Sequence, residues 1–297
     1  IASLRDDWLQ CLKRRLWFTR MAVPNMAFPF FLSARYGGFH KAGMTMATKS
    51  AEREKHRREL FTQIWADLIP KVFEDVPPYY DWGNAVASLG VCSAWSGKFA
   101  AAIDLPPGAK VLDVCSGTHD VPLRILRRNP SLQVYALDKS PHMLAEGQRR
   151  AGARGMKIFA QVGDAHHMPF ESGTFDAVTL QFATRHLRVA EVFSEIERVL
   201  KPGGAFYHND MLRPAWRLVE APYLPYLRAS VWFTAMLFGS SRESRQCIGY
   251  FADAIRHFYK PEEMSALLRE VGFSDVRHRD FLTGVLSFHI ARKALTA

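Results

Sequence analysis

Three short apolar runs in this chain each end on or beside a carboxylate. Asp113 sits near the end of AKVLDVCSG, Asp138 ends LQVYALD, and Asp164 follows KIFAQVG. A carboxylate offers two acceptor oxygens, so it can take hydrogen bonds from an amine or from a pair of hydroxyls. Asp138 is placed to pair with the two hydroxyls of a ribose, and Asp164 to accept from an adenine amine. Asp113 can accept from a ligand amine directly or through water. In VCSGTHD, Gly117 lets backbone approach a nucleotide closely. A second glycine is expected two residues on, yet His119 stands there. Each residue alone is ordinary loop chemistry. Three carboxylates at successive run ends, with a Pro202-Gly203-Gly204 turn before a further run, form a set.

Such a set needs strands that end side by side. The runs AKVLDVCSG, LQVYALDKS, KIFAQVGDA, FDAVTLQFA and AFYHND read as five strands. VPLRILRRN, PHMLAEGQRRAGARG and AEVFSEIERVLKPGG read as helices between them, with Pro141 suited to a first helical turn. PEEMSALLREVGF predicts a late helix and VLSFHIARK a last strand. This β-α alternation predicts an α/β fold with a doubly wound, mostly parallel, Rossmann-like sheet. Ligands in such sheets bind outside the carboxyl ends of the strands. The pattern breaks at about 211–260, a segment too apolar for a disordered loop, which predicts a helical lid over the substrate. Residues 1–72 predict a basic helical arm able to contact a membrane, with 73–297 as the catalytic domain. Within the arm, Leu60, Ile64, Leu68 and Val72 repeat every four residues and predict one buried helix face.

The 297 residues, 48% of them apolar, suffice for one large domain with an appendage. A net charge of +10 favours anionic partners without choosing among them. Four cysteines lie far apart with no CxxC pair, which suggests neither a zinc ribbon nor a disulfide framework and predicts reduced thiols. No run of 18 apolar residues occurs, so no transmembrane helix is expected. Asp6 and Asp7 are unlike a mitochondrial presequence, which is poor in acid. The sequence sets no oligomeric state.

The chain resembles the class I S-adenosylmethionine (SAM) methyltransferases, and within them the UbiE-type enzymes that C-methylate quinone precursors. YYDWGNAVASLGVCSAW matches the UbiE-type YDxxNxxxSxGxxxxW pattern through Tyr80, Asp81, Asn84, Ser88, Gly90 and Trp95. GDAHHMPFESGTFDAVT, QFATRHL, RVLKPGG and TGVLSFHIARK match further family segments. The resemblance implies SAM held by Asp113, Ser116, Gly117, Asp138, Lys139, Asp164, Ala165 and Gln181. It also implies a polyprenyl quinone substrate taken from a membrane. Arg185 matches an arginine at the family's active site.

Two positions depart from that pattern. His119 replaces a glycine, and His186 replaces an asparagine. With ATRHL, SGTHD and HNDMLRP, they give a closer resemblance to the RquA-type proteins of rhodoquinone biosynthesis. That resemblance implies exchange of a ubiquinone ring methoxy group for an amine, with SAM as nitrogen donor and a divalent metal, manganese, assisting. On it, His119 re-poses SAM or binds the metal with Asp120 or Asp113, His186 or Tyr80 donates a proton, and Arg185 polarises a quinone oxygen. His208 is a further candidate for metal or substrate contact. The alternative is an ordinary quinone-precursor C-methyltransferase. The work would lie at the cytoplasmic face of an inner membrane, or at the matrix face in a mitochondrion. A non-catalytic quinone-holding subunit would lack Asp138 and Asp164, and both are present. Nothing resembles the proline-aromatic tetrapeptide of base-methylating enzymes, so no nucleic-acid partner is expected.

Overall fold

A computed structural model describes residues 46–295. The predicted arm before residue 46 lies outside the described residues. Five strands, β1 (Lys110–Val114), β2 (Gln133–Asp138), β3 (Phe159–Val162), β4 (Phe175–Gln181) and β5 (Leu200–Asp210), form the parallel part of one sheet. β7 (Leu286–Lys293) runs antiparallel beside β5, and β6 (Phe273–Phe281) antiparallel beside β7. The order is β3-β2-β1-β4-β5-β7-β6. The Rossmann-like expectation is met. The sheet reverses direction from β1 at its centre, and that point is where a doubly wound sheet opens a crevice.

Helices cover both faces. α1 (Met46–Gln63) passes through a π turn at Ile64–Leu68 into α2 (Ile69–Asp75), followed by α3 (Tyr80–Ala87) and α4 (Val91–Ala102). α5 (Asp120–Arg128), α6 (Pro141–Gly152) and α7 (Val189–Val199) link the parallel strands. α8 (Arg217–Leu237), α9 (Arg242–Arg256) and α10 (Pro261–Val271) follow β5. Val111, Leu112 and Val114 are fully buried because β1 is covered on both faces. Phe193 and Ile196 of α7 with Leu268 of α10 fill one side, and Phe99 of α4, Ile125 of α5 and Leu144 of α6 the other. Ser140 caps α6 by accepting from the Met143 amide, and Pro141 starts the helix as expected.

Residues 46–72 lie in the same compact unit as the sheet. Two readings of the sequence need correction. Leu60 is 44% exposed, and α1 buries Glu54, Arg57 and Phe61 instead. Paired charges hold that face, and the π turn then shifts its phase, so apolar spacing misreads it. β6 went unpredicted because it is an edge strand whose residues are mostly exposed and polar. The expected insertion after β5 is α8 and α9, which pack on each other through Leu224, Leu227, Ala252 and Ile255.

Candidate active site

Two cavities meet above the carboxyl ends of the parallel strands. The first, about 830 Å³, is lined by Asp113, Ser116, Gly117, Asp138, Lys139, Asp164, Ala165 and Gln181, all eight residues expected to hold SAM. The second, about 580 Å³, is mostly apolar and runs beneath α8. Phe73, Tyr80, Asn84 and Cys92 line both.

The first cavity is built by the strand ends. Gly117 has φ +51, a backbone conformation that side chains disfavour, and a Cβ there would lie 3.0 Å from Met143 Cε, so the Met143 side chain would have to give way. The Asp138 carboxylate ties the loop down by accepting from the Gly117 and Ser140 amides, each at 2.8 Å. Each oxygen keeps a lone pair for a ligand hydroxyl. Asp113 accepts from Thr179, and burial pushes its carboxyl up to about 7 despite the bonds from Thr179 and Ser116. Asp164 goes the other way. Burial would raise it, but His166 through its amide and ring, together with Lys139, holds it well below the usual carboxylate range. Gln181 donates to Ser96 at 2.7 Å, and its Oε1 is buried without a partner. An adenosine sulfonium with a free amine supplies donors for these oxygens, so the residues fit SAM.

Asp81 of α3 accepts from Thr118 Oγ1 at 2.9 Å and pairs with Arg150, which itself donates to the Thr118 carbonyl at 2.7 Å. The YD motif therefore latches α3 onto the glycine loop. Tyr80, the next residue back, faces both cavities. Burial raises its phenol, with Arg185 opposing.

Arg185 lies on a short 3-10 turn, Thr184–His186, after β4. Its guanidinium pairs with buried Asp210 at 2.9 Å and lines the second cavity, while its Nε has no partner. The site thus holds an N–H donor in a mostly apolar pocket. Asp210 was visible in the sequence only as part of HNDMLRP. Asn84, Cys92 and Phe73, which join the cavities, carried no site signal of their own beyond the family pattern at Asn84.

His186 lines the first cavity. Trp65 Nε1 donates to Tyr250 Oη at 2.8 Å, and Tyr250 Oη lies 2.7 Å from His186 Nδ1. Indole nitrogen only donates, so the tyrosine oxygen accepts from it and its hydroxyl hydrogen is free to donate to Nδ1. In that tautomer His186 carries its proton on Nε2, which has no partner. Burial, with Arg185 and Arg57 nearby, holds its pKa well below 6.5. His186 is therefore a neutral hydrogen-bond donor rather than the imidazolium expected of an acid.

Of His119 and Asp120, expected to hold a metal, Asp120 lines the first cavity and His119 does not. His119 is fully buried and lines neither cavity. Its backbone is left-handed, φ +62, which turns the ring under the loop against Gly147 of α6. Its Nδ1 lies 2.9 Å from Ser116 Oγ, and burial lowers its pKa to about 4. Both oxygens of Asp120 accept from Arg124 at 2.9 Å. These residues do not fit a metal site. His208 is buried at 2.7 Å from Thr184 Oγ1, packed by Phe193, Phe206 and His289, and lines neither cavity.

The comparisons with known proteins bear on this geometry. Residues 61–293 match the model of the ubiE/COQ5 methyltransferase family. The chain belongs to this family. Its co-substrate is accordingly SAM, and its activity class is SAM-dependent methyltransferase. The chain is 32% identical over 227 residues to the ubiquinone/menaquinone biosynthesis C-methyltransferase UbiE of Cereibacter sphaeroides, covering 75% of this chain and 90% of that one. It is 33% identical over 233 residues to the mitochondrial 2-methoxy-6-polyprenyl-1,4-benzoquinol methylase of Caenorhabditis elegans, covering 75% and 78%. A demethylmenaquinone methyltransferase of Beutenbergia cavernae is 34% identical over 226 residues, covering 76% and 90%. Among solved structures, a Haemonchus contortus phosphoethanolamine N-methyltransferase superposes with a TM-score of 0.51 at 17% identity, covering 69% of this chain and 54% of that one. A SAM-dependent methyltransferase of Thermotoga maritima gives 0.51 at 15%, covering 75% and 99%. These two likenesses concern the fold alone.

Proposed function

We propose that this family member transfers a group from SAM to the ring of a polyprenyl quinone or its quinol precursor, and that the group is the methyl. The observation that carries the reading is the junction of the two cavities at Tyr80 and Asn84. One side offers carboxylates to a nucleoside. The other offers an apolar pocket with a guanidinium, the surroundings a hydrophobic ring with an oxygen substituent requires. SAM supplies an electrophilic methyl group: its sulfur–methyl bond breaks as the ring carbon–methyl bond forms, S-adenosylhomocysteine leaves, and the ring carbon then loses its proton to water. Arg185, held by Asp210, donates from Nε to the ring oxygen and stabilises the negative charge that a nucleophilic ring carbon draws on. Tyr80 positions the ring at the junction. The activities named for the relatives from Cereibacter, Caenorhabditis and Beutenbergia support ring-carbon methylation. The reading places the enzyme at a quinone-bearing membrane, on the cytoplasmic face in a bacterium or the matrix face in a mitochondrion.

A second reading rests on its own observation. His186 presents an Nε2 proton at the cleft, at a position where the UbiE-type pattern has asparagine, and the SGTHD and ATRHL motifs resemble the RquA-type proteins. On this reading the α-amine of SAM bonds the ring carbon, the ring carbon–methoxy bond breaks, and the methoxy group leaves as methanol carrying a proton lost from that amine, while His186 hydrogen-bonds the departing oxygen. His119 acts only by shaping the loop. The test is a product assay by mass spectrometry with SAM labelled at the methyl in one arm and at the α-nitrogen in the other. Short-tailed demethylated quinol and short-tailed ubiquinone serve as acceptors. Gain of labelled methyl on the quinol supports the first reading. Gain of labelled nitrogen with loss of methoxy from ubiquinone replaces it with the second. No labelled product from either acceptor overturns both.

A further inference from the structure

α8 carries an apolar face that the described residues leave uncovered. Leu218, Pro222, Pro225, Ala229, Trp232 and Met236 are all exposed, at spacings of four, three, four, three and four. That is one continuous stripe along a helix of 21 residues. Leu218 is 88% exposed, Met236 55%, and Trp232 and Phe233 each 54%. An apolar surface of this extent marks an interaction site.

The stripe continues into the mouth of the apolar cavity. Val91, Leu218, Tyr226 and Leu282 are each more than 40% exposed and also line that cavity. Tyr226 ties the two rims together by donating to the Ala87 carbonyl at 2.7 Å. The insertion is basic. Residues 211–260 hold seven Arg or Lys against three acids; Glu220 lies 3.5 Å from Arg213 and Asp253 pairs with Arg228, while Arg217, Arg242 and Arg245 are exposed. No helix among the described residues is long and apolar enough to cross a membrane.

We propose that this face of α8 lies in the headgroup–acyl boundary of an anionic bilayer, so that the second cavity opens toward lipid. The inference rests on the proposed function for what enters the cavity. An in-plane helix buries tryptophan and other apolar groups on one face while arginines meet lipid phosphates. The mouth decides between lipid and a second copy of this chain. A protein docked on the stripe would cover the rim at Leu218 and shut the cavity, whereas lipid leaves it open to an apolar tail.

The test uses the full chain and a variant carrying Trp232→Glu, Phe233→Glu and Met236→Glu, three exposed positions that line neither cavity. Binding to phosphatidylcholine vesicles, with and without phosphatidylglycerol, is measured by co-sedimentation. The wild type binds the anionic vesicles, and the variant binds at least about tenfold more weakly with an unchanged melting temperature. Turnover of a short-tailed, dispersed acceptor is equal in both proteins, while turnover of a long-tailed acceptor embedded in vesicles is lost in the variant. Equal vesicle binding by the two proteins overturns the inference. So does a wild type that ignores vesicles and sediments as a dimer that the variant dissolves. Weakened binding by the variant, with neither protein converting any acceptor, upholds the surface and overturns the proposed function.

Discussion

His119 shows how far a residue type can mislead about its role. A histidine in a cofactor loop reads as a ligand, yet its ring is turned away from the cleft and packed against a helix. Its direction follows from a left-handed φ and from the missing side chain at Gly147, two facts separated by 28 positions in the chain and invisible to local pattern. A Cβ at Gly147 would come within 2.6 Å of the imidazole. Gly147→Ala is therefore expected to destabilise the protein by about 1–3 kcal/mol through overpacking, against the gain of about 1 kcal/mol that alanine brings to a helix. Adding His119→Gly removes the clash and relaxes the left-handed turn, so the double variant recovers most of the loss. Urea unfolding of the four proteins in the cycle checks this, and additive losses would contradict it. The carboxylates were easier to read, because strand ends fix where they point. Asp138→Ala removes the acceptor for two loop amides and for the ligand. It is expected to raise the SAM dissociation constant at least about tenfold by calorimetry, at about 1.5–3 kcal/mol per charged hydrogen bond.

At the scale of elements, the parallel strands and their helices were legible because burial on both faces forces continuous apolar runs. α1 was not, since its core face is held by a charge pair. Arg57 is fully buried. It donates to Glu54 at 2.8 Å and to the Arg185 carbonyl at 2.9 Å. Tyr259 Oη donates to the same Glu54 carboxylate at 2.9 Å. Arg57→Ala leaves Glu54 buried without its cation, and a loss of about 3–5 kcal/mol is expected from chemical denaturation. β5 offers a pH test. Burial lowers the His208 pKa to about 3, below the value of about 6.5 for an unfolded chain. The unfolded state thus takes up a proton first as pH falls. Stability carried by neutral His208 is complete above pH 6.5 and is lost progressively toward pH 3. His208→Gln removes that loss. The free-energy difference between variant and wild type should shift in the variant's favour below pH 6.5, by up to about 1.4 kcal/mol per pH unit. A difference independent of pH would show that His208 is not buried as a neutral ring.

At the scale of the molecule, one crevice follows from the sheet's reversal at β1, and the insertion after β5 turns it into two joined cavities. The fold class was legible from alternation alone. The junction was not, because it is made by α3 and α4, whose short helices carry motif residues rather than a strong apolar period. The lid was placed correctly as an insertion, yet its outer apolar face could not be told from its inner one until α9 was seen packed against it. Ligand linkage makes a global prediction. SAM at about a hundred times its dissociation constant should stabilise the folded chain by about 2.7 kcal/mol, read as a rise in melting temperature. In Asp138→Ala the same concentration should give a clearly smaller rise. An equal rise in both proteins would remove Asp138 from the binding site.

The chain of contacts from Trp65 through Tyr250 to His186 spans three separate pieces of the fold: the π turn after α1, the lid helix α9 and the turn after β4. Tyr250 can donate its hydrogen bond to His186 only while α9 rests against the π turn. A lid lifted from its seat would release the imidazole to either tautomer and leave the cleft without a fixed donor. The position of one proton at the reacting centre is thus conditional on assembly of the roof, which makes the site most fully armed when the lid is closed over it.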